Sequence, residues 1–372
     1  MTDFIPVNVP LLDGNEKLYL NECIDSGWIS SEGPFVKKFE EEFAKRVNRK
    51  HAIAVTNGSC ALDCAIAALD IGPGDEVILP TFTIISCITE IIRVGATPVL
   101  VDINPDTWNM DVSQIESKIT PKTKAIMVVH IYGLPVDMNP VLEIASNYGL
   151  QVIEDAAESH GQKYNDIPCG SFGDISTFSF YPNKHVTAGE GGMVVTNDDN
   201  LANICRELRN LCFKPEQRFV HYRLGWNMRM TNLQAAVGLA QLEQLDRFIH
   251  IKQKMGLLYT ELLNNCDSIK LPPSKTEFAS NHYWVYGVVL DPSTGLTAKK
   301  VMDQLNEHGI GTRPFFYPIH KQPVLIERGL FSNDTHLNAE HISKYGFYLP
   351  SGLGLSRDEI VRSANTLLKI LD

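Results

Sequence analysis

Lys124-Ala125-Ile126-Met127-Val128-Val129-His130 is followed, after a helical pattern near Pro140–Tyr148, by Gln151-Val152-Ile153-Glu154-Asp155. Short apolar runs of this kind, without polar alternation, belong to strands buried on both faces. Two of them joined by a helix predict a parallel strand–helix–strand unit. The same rhythm runs back toward the N-terminus. His51–Thr56 reads as a strand, Ser59–Asp70 as a helix and Glu76–Pro80 as a strand. A helix over Ile84–Val94 and a strand over Pro98–Asp102 follow. Downstream, Asp174–Phe180 and Gly192–Thr196 lack a long helix between them, so a neighbouring or antiparallel pair is expected. A long helical pattern from Thr231 to about Leu262 leads into strands at Tyr283–Leu290 and helices at Ala298–His308 and Arg357–Leu371. The expectation is an α/β chain: a large domain over 15–245 with a mostly parallel sheet, and a smaller C-terminal α+β domain over 246–372. Residues 1–14 are free to pack on either.

Composition narrows the function classes. The 372 residues are 44% apolar and 21% charged, as in soluble globular proteins. A net charge of −11 and no Lys/Arg-rich run argue against a nucleic-acid surface. The eight cysteines contain no C-x-x-C pair and no zinc-type grouping with histidine, so no metal site is expected. Cys87, inside an apolar run, reads as a free buried thiol. No signal peptide or membrane span is visible, because Pro80, Glu90, Arg93 and Pro98 break the most apolar stretch, Val77–Val101. A cytoplasmic protein that uses neither membrane nor nucleic acid is expected.

The chemistry concentrates in Ser179-Phe180-Tyr181-Pro182-Asn183-Lys184-His185-Val186-Thr187-Ala188-Gly189-Glu190-Gly191-Gly192. An apolar strand ends in a turn, presents Lys184, and runs into glycines. Desolvation at such a place lowers an amine's pKa and makes it a candidate Schiff-base former and proton shuttle. Taken alone, Lys184 is better read as an ordinary strand-end lysine reaching for water. Asp155 ends another strand, where a carboxylate could hold a protonated ring nitrogen or simply cap a helix. Thr56-Asn57-Gly58-Ser59 carries a strand into a helix start, a phosphate site by dipole and free N–H groups, or an N-cap. Ser179 is a further candidate phosphate ligand. Asn227 and Arg229, ahead of the long helix, read as a solvated turn or as residues reaching a neighbouring subunit's site. Together, Lys184, Asp155 and the Gly58–Ser59 helix start meet the three requirements of pyridoxal 5′-phosphate (PLP): an amine, a carboxylate and a phosphate cradle.

With these residues in place the chain resembles the nucleotide-sugar aminotransferases of the DegT type. The resemblance spans nearly the whole chain, through Gly27-Trp28-Ile29-Ser30-Ser31-Glu32-Gly33, Ile153–Glu158, Phe178–Lys184, Gly189–Met193 and Arg229-Met230-Thr231-Asn232. It implies the aspartate aminotransferase-like PLP fold type I with a seven-stranded sheet, and a homodimer with shared active sites. Lys184 matches the Schiff-base lysine and Asp155 the ring-nitrogen carboxylate. Gly58, Ser59 and Ser179 match phosphate contacts, and Asn227 matches the phosphate contact from the other subunit. Trp28, Glu158, Arg229, Arg313 and His320 fall in segments lining the sugar and nucleotide pockets. Trp28-Ile29-Ser30-Ser31 and Thr312–His320 further resemble the members that use L-glutamate to aminate C4 of GDP-4-keto-6-deoxymannose. Similar segments occur in relatives acting on UDP- or dTDP-linked keto sugars. Ile84, where relatives usually carry an aromatic, and Tyr181-Pro182 before Asn183-Lys184 depart from the pattern. A related PLP-dependent sugar 3-dehydratase, whose lysine is replaced by histidine, is disfavoured by the intact Lys184. A non-catalytic sensor of the same fold is disfavoured by the intact lysine–aspartate pair.

Overall fold

The computed structural model describes residues 4–214 and 217–371. Its main sheet has seven strands. They are β1 (His51–Val55), β2 (Glu76–Pro80), β3 (Thr97–Val101), β4 (Thr123–Val129), β5 (Gln151–Asp155), β8 (Ile175–Ser179) and β9 (Gly192–Thr196), with the short hairpin β6 (Lys163–Tyr164) and β7 (Ile167–Pro168) between β5 and β8. The order is β1-β9-β8-β5-β4-β2-β3. Neighbours from β3 to β8 are parallel, while β9 runs antiparallel to both β1 and β8. The expected Asp174/Gly192 pairing is therefore antiparallel, with Phe178 opposite Met193 and Ser179 opposite Gly192.

Side chains alternate across a strand, and the core obeys this. Ala125, Met127 and Val129 of β4 enter one apolar cluster with α3 (Gly58–Ala68), α4 (Ser86–Arg93) and α6 (Asp199–Leu208). Ile126 and Val128 enter another with α5 (Met138–Tyr148). Farther along that face, α2 (Pro34–Arg46) and α7 (Asn232–Glu243) cover Ala52, Phe178 and Val195, with α1 (Glu16–Ser26) against α7. Both faces of the sheet are thus covered, which is why most of its strands lack a polar face; Glu154, Ser176 and Thr177 are the buried polar residues of β5 and β8 short of their strand ends.

A second, antiparallel sheet of four strands follows in the order β10-β11-β13-β12. It comprises β10 (Ile269–Lys270), β11 (Tyr286–Leu290), β12 (Arg313–Pro314) and β13 (Gly346–Leu349). It packs with α8 (Leu245–Leu263), α9 (Ala298–Glu307) and α12 (Arg357–Leu371) in a separate cluster. Two further helices, α10 (Pro323–Ile326) and α11 (Leu337–Tyr345), complete the chain. The single long helix expected after Thr231 is two helices, α7 and α8, meeting at Gln244. Their partners differ: α7 lies on α1 and α2, and α8 on α12. The N-terminal segment joins the second sheet's surroundings, with the Ile5 N–H on Gly309 O at 2.8 Å and the Ser351 N–H on Val7 O at 2.9 Å. Among the described residues no helix is long and apolar enough to cross a membrane. All eight cysteines are unpaired.

Asn232, fully buried at the start of α7, ties down the turn between α1 and α2. Its Oδ1 accepts from Phe35 N at 2.8 Å, and its Nδ2 donates to Trp28 O at 2.6 Å and Cys23 Sγ at 3.2 Å. Substituting Asn232→Ala strands a buried N–H and a carbonyl, and should cost about 2–4 kcal/mol of stability in denaturant unfolding.

Candidate active site

Parallel strands deliver their carboxyl ends to one side of a sheet, where open α/β folds bind ligands. Here the ends of β4, β5 and β8 meet the start of α3 and residues of the second sheet around a cavity of about 780 Å³. Gly58, Ser59, Asp155, Glu158, Ser179, Lys184 and Arg313 all line it. Two close backbone approaches bring Ser179 against the α3 entry. A Cβ on Gly58 would lie 2.8 Å from Ser179 Cβ, and one on Gly192 would lie 2.2 Å from Asn57 O. Only glycine fits there. Asn57 caps α3 by accepting from Cys60 N at 2.9 Å, and Ser59 Oγ lies 2.7 Å from Ser86 Oγ. The helix start so presents its positive end and two hydroxyls to the cavity.

Asp155, the last residue of β5, is buried. Its Oδ1 accepts from Ala157 N at 3.0 Å and its Oδ2 accepts from the Cys87 thiol at 3.3 Å. Burial pushes its carboxyl above the usual range, opposed by those two bonds and by Lys184. Cys87 is the free buried thiol expected from the sequence, with the added task of holding this carboxylate. Underneath, the His130 imidazole bonds Glu154 at 2.9 Å, and Glu154 also accepts from Phe172 N and Ser176 Oγ. Cys169 completes a His–Glu–Cys grouping there. Because His130 Nδ1 accepts from Val136 N at 3.1 Å, its other nitrogen donates to Glu154, and the group reads as a strand-locking network.

Lys184 stands on the turn closed by its own N–H to Tyr181 O at 2.9 Å. Its Nζ lies 3.7 Å from Glu158 Oε1 and 3.8 Å from the centroid of the Trp284 indole. Burial lowers its pKa, while Glu158 and then Asp155 resist the fall. Glu158 takes the Tyr132 N–H at 2.8 Å, and burial pushes its pKa up to about 7 against the pull of Lys184. Burial thus moves the amine and the carboxyl toward their neutral forms, while their mutual attraction opposes both shifts.

The other candidates lie apart from Lys184 within the chain. His320 is buried outside the cavity, with Nδ1 bonded to Thr81 Oγ1 at 2.7 Å and Nε2 to Glu340 at 2.9 Å. Both ring nitrogens are occupied, so its placement departs from the expected pocket role. Trp28 is half exposed on the α1–α2 turn. Asn227 is exposed and bridges Asn210, and Arg229 donates to Asn210 Oδ1 at 2.6 Å at the edge of a different cavity. Ile84 does line the Lys184 cavity and is largely exposed there. Sequence reasoning missed Tyr132, Trp284 and Tyr348, which wall the cavity. Tyr132 adopts a left-handed backbone, and the Tyr-Gly pair it opens was the one available signal. Trp284 arrives from a distant segment and had none.

This fold is that of solved aminotransferases. The crystal structure of DesV from S. venezuelae superposes with a TM-score of 0.89 at 32% identity, covering 96% of this chain and 94% of that one. An aminotransferase from Psychrobacter cryohalolentis gives 0.92 at 28%, covering 99% and 98%. Residues 10–368 match the DegT/DnrJ/EryC1/StrS aminotransferase family, and the chain belongs to it. It is 44% identical to the GDP-perosamine synthase of Escherichia coli O157:H7 over 96% of both chains. It is 43% identical to that of Caulobacter vibrioides over 99% of this chain and 98% of the relative.

The Glu158 shift has a signed consequence. A carboxyl whose folded pKa is raised from 4.5 to about 7 holds more protons folded than unfolded across that window, so stability falls as pH rises through it. Glu158→Gln removes this slope. Urea unfolding from pH 4.5 to 7 should show the variant gaining up to about 3 kcal/mol relative to the parent chain.

Proposed function

We propose that this chain uses PLP to transfer the amino group of L-glutamate to the 4-keto carbon of GDP-4-keto-6-deoxymannose, giving GDP-perosamine and 2-oxoglutarate. The observation that carries the reaction type is the gathering of Lys184, Asp155 and the Gly58–Ser59 helix start around one cavity. The substrate assignment rests on the GDP-perosamine synthases to which the chain is 41–44% identical.

The residues present fit the cofactor. Gly58 carries no Cβ at the helix start, Asp155 has both oxygens already oriented by donors, and Lys184 faces the same space. Lys184 would anchor the cofactor covalently and Asp155 would hold its ring nitrogen. Gly58, Ser59 and Ser179 would hold its phosphate, joined by Asn227 from a second copy of the chain. Bound there, PLP supplies an electron sink that makes the carbon bearing nitrogen acidic. Lys184, with a pKa lowered by burial, carries protons to and from that carbon, and Glu158 sets its charge. Ile84 offers an aliphatic wall where relatives usually offer an aromatic face. Arg313, exposed at the cavity rim, suits a diphosphate through its planar fork of donors.

The site would lie between domains 15–245 and 246–372 and be completed in a homodimer, in the cytoplasm where eight free thiols are at home. Phe219, Tyr222 and Leu224 are 80%, 74% and 91% exposed beside Asn227, an apolar stretch that a second copy would cover. Trp28 and Arg229 would reach the substrate by the same route.

Lys184→Ala should remain folded and lose about 10³-fold or more of glutamate-dependent amination, read by NMR of the product. Given a panel of GDP-, UDP- and dTDP-linked keto sugars, the parent enzyme should prefer the GDP-linked 4-keto sugar. Preference for a UDP sugar would overturn the substrate and leave the reaction standing. Co-expressing Lys184→Ala with Asn227→Ala should restore about a quarter of parental activity, since half the dimers then hold one intact site. No gain over the separate variants would refute shared sites.

A further inference from the structure

Lys252 is a buried cation that the reaction above does not use. It sits on α8 at 1% exposure, and its Nζ donates to Trp284 O at 2.9 Å and to Ser351 O. Among the described residues no carboxylate forms an ion pair with it, and burial alone lowers its pKa, to about 7. The titratable group beside it is His185, itself buried and held well below its usual pKa. Burying an ammonium costs several kcal/mol, and a methionine would fill the space more cheaply. What Lys252 holds must account for it.

It holds Trp284. That residue follows Tyr283, whose φ of 50° is strained for an aromatic. Its N–H bonds Tyr132 O at 3.2 Å, and its indole Nε1 donates to Asn183 O at 2.8 Å, one residue before Lys184. Gly133 leaves room for this approach, since a Cβ there would sit 2.8 Å from Trp284 N. The indole face lies under the Lys184 ammonium at 3.8 Å from the ring centroid. Lys252 closes the one backbone group of Trp284 that the other contacts leave open, its carbonyl, and in the same stroke ties it to the Ser351 segment.

We propose that Lys252 is a positioning residue for Lys184: by holding the Trp284 carbonyl, it fixes the indole face on which the Lys184 amine rests whenever that amine is free. This rests on the reading of Lys184 as the reacting amine. The charged and titratable groups facing that amine are Glu158, Asp155, Cys87 and His160, and the indole adds a π face to them. A desolvated ammonium gains from such a face.

The test follows the amine directly. Full-length chain stripped of cofactor is pulsed with formaldehyde and cyanoborohydride across a pH series, and methylation of Lys184 is read by peptide mass spectrometry. Trp284→Leu keeps the wall apolar and removes the π face, so the midpoint of Lys184 reactivity should fall by about one pH unit, about tenfold in reactivity at fixed pH. Trp284→Phe should stay near the parent. Lys252→Met should move the midpoint in the same direction, and the Lys252→Met/Trp284→Leu double variant should move no further than Trp284→Leu alone. An unmoved midpoint in Lys252→Met, or additive shifts in the double variant, overturns the proposal. If Lys252→Met does not fold, Lys252→Arg decides: a midpoint near the parent supports the proposal, and one displaced as in Trp284→Leu overturns it. Turnover by Lys184→Ala is the separate arm. Product from that variant removes the reading of Lys184 and this inference with it, whereas an inactive Lys184→Ala beside an unmoved Lys252→Met midpoint removes only the inference.

Discussion

An amine kept out of water is the constraint around which the site is arranged. Taking an ammonium from water costs several kcal/mol, and the chain offsets that cost from two sides. Glu158 approaches Lys184 to 3.7 Å, and the Trp284 indole lies beneath it at 3.8 Å. The compensation is deliberately incomplete in its effect: burial still lowers the amine and raises Glu158 to about 7. Full pairing would have fixed both charges. A fully apolar pocket would have extinguished them. The intermediate arrangement leaves both groups shifted toward their neutral forms and still attracted to each other.

The sheet supplies the precision this arrangement needs. Parallel pairing from β3 to β8 stacks the carboxyl ends of β4, β5 and β8 on one side, so Asp155 and Ser179 reach the cavity as the last residues of their strands. The reversal at β9 brings Gly192 opposite Ser179 and against Asn57. Each of these contacts is backbone-close, and side chains on rigid elements hold their positions better than side chains on loops. Glu158 and Lys184 lie beyond the strand ends, and each is held by a backbone hydrogen bond: Glu158 accepts the Tyr132 N–H, and the Lys184 N–H closes its turn on Tyr181 O.

How much of this was readable depended on where each residue's partners lie in the chain. β4 announced itself because a strand buried on both faces carries a run of apolar residues, and β5 and the run ending at Ser179 did so through their shorter apolar segments. Asp155 and Gly58–Ser59 were readable because each sits at a strand end or helix start, and Lys184 because it stands in the turn between an apolar run and a glycine-rich segment. Trp284, Tyr132 and Lys252 were not, since their roles come from contacts across 101, 26 and 32 residues. An indole or a buried lysine looks the same in sequence whether it walls a site or fills a core. His320 shows the opposite limit: its segment resembles pocket-lining segments, while its two ring nitrogens bond Thr81 and Glu340. The division of the long helical run at Gln244 was hidden as well, because the apolar period continues while the packing partner changes.

Apart from Trp28 and His320, which line neither cavity, the candidate residues fall into two sets, and the division is itself informative. Lys184, Asp155, Gly58, Ser59, Ser179, Glu158 and Arg313 meet at one cavity. Arg229 opens on a second cavity of about 800 Å³, and Asn227 stands exposed near it. Within one chain neither residue lines the Lys184 cavity: Asn227 pairs with Asn210 through a backbone bridge, and Arg229 donates to Asn210 Oδ1. Yet Asn227 follows a run whose aromatic and leucine side chains face solvent, a poor use of apolar surface for a chain that stays single. In the proposed dimer one association resolves both problems, covering the apolar run and carrying Asn227 toward the partner's phosphate cradle. Activity would then depend on assembly for a structural reason: the chain that holds the amine does not by itself hold every group that completes its site.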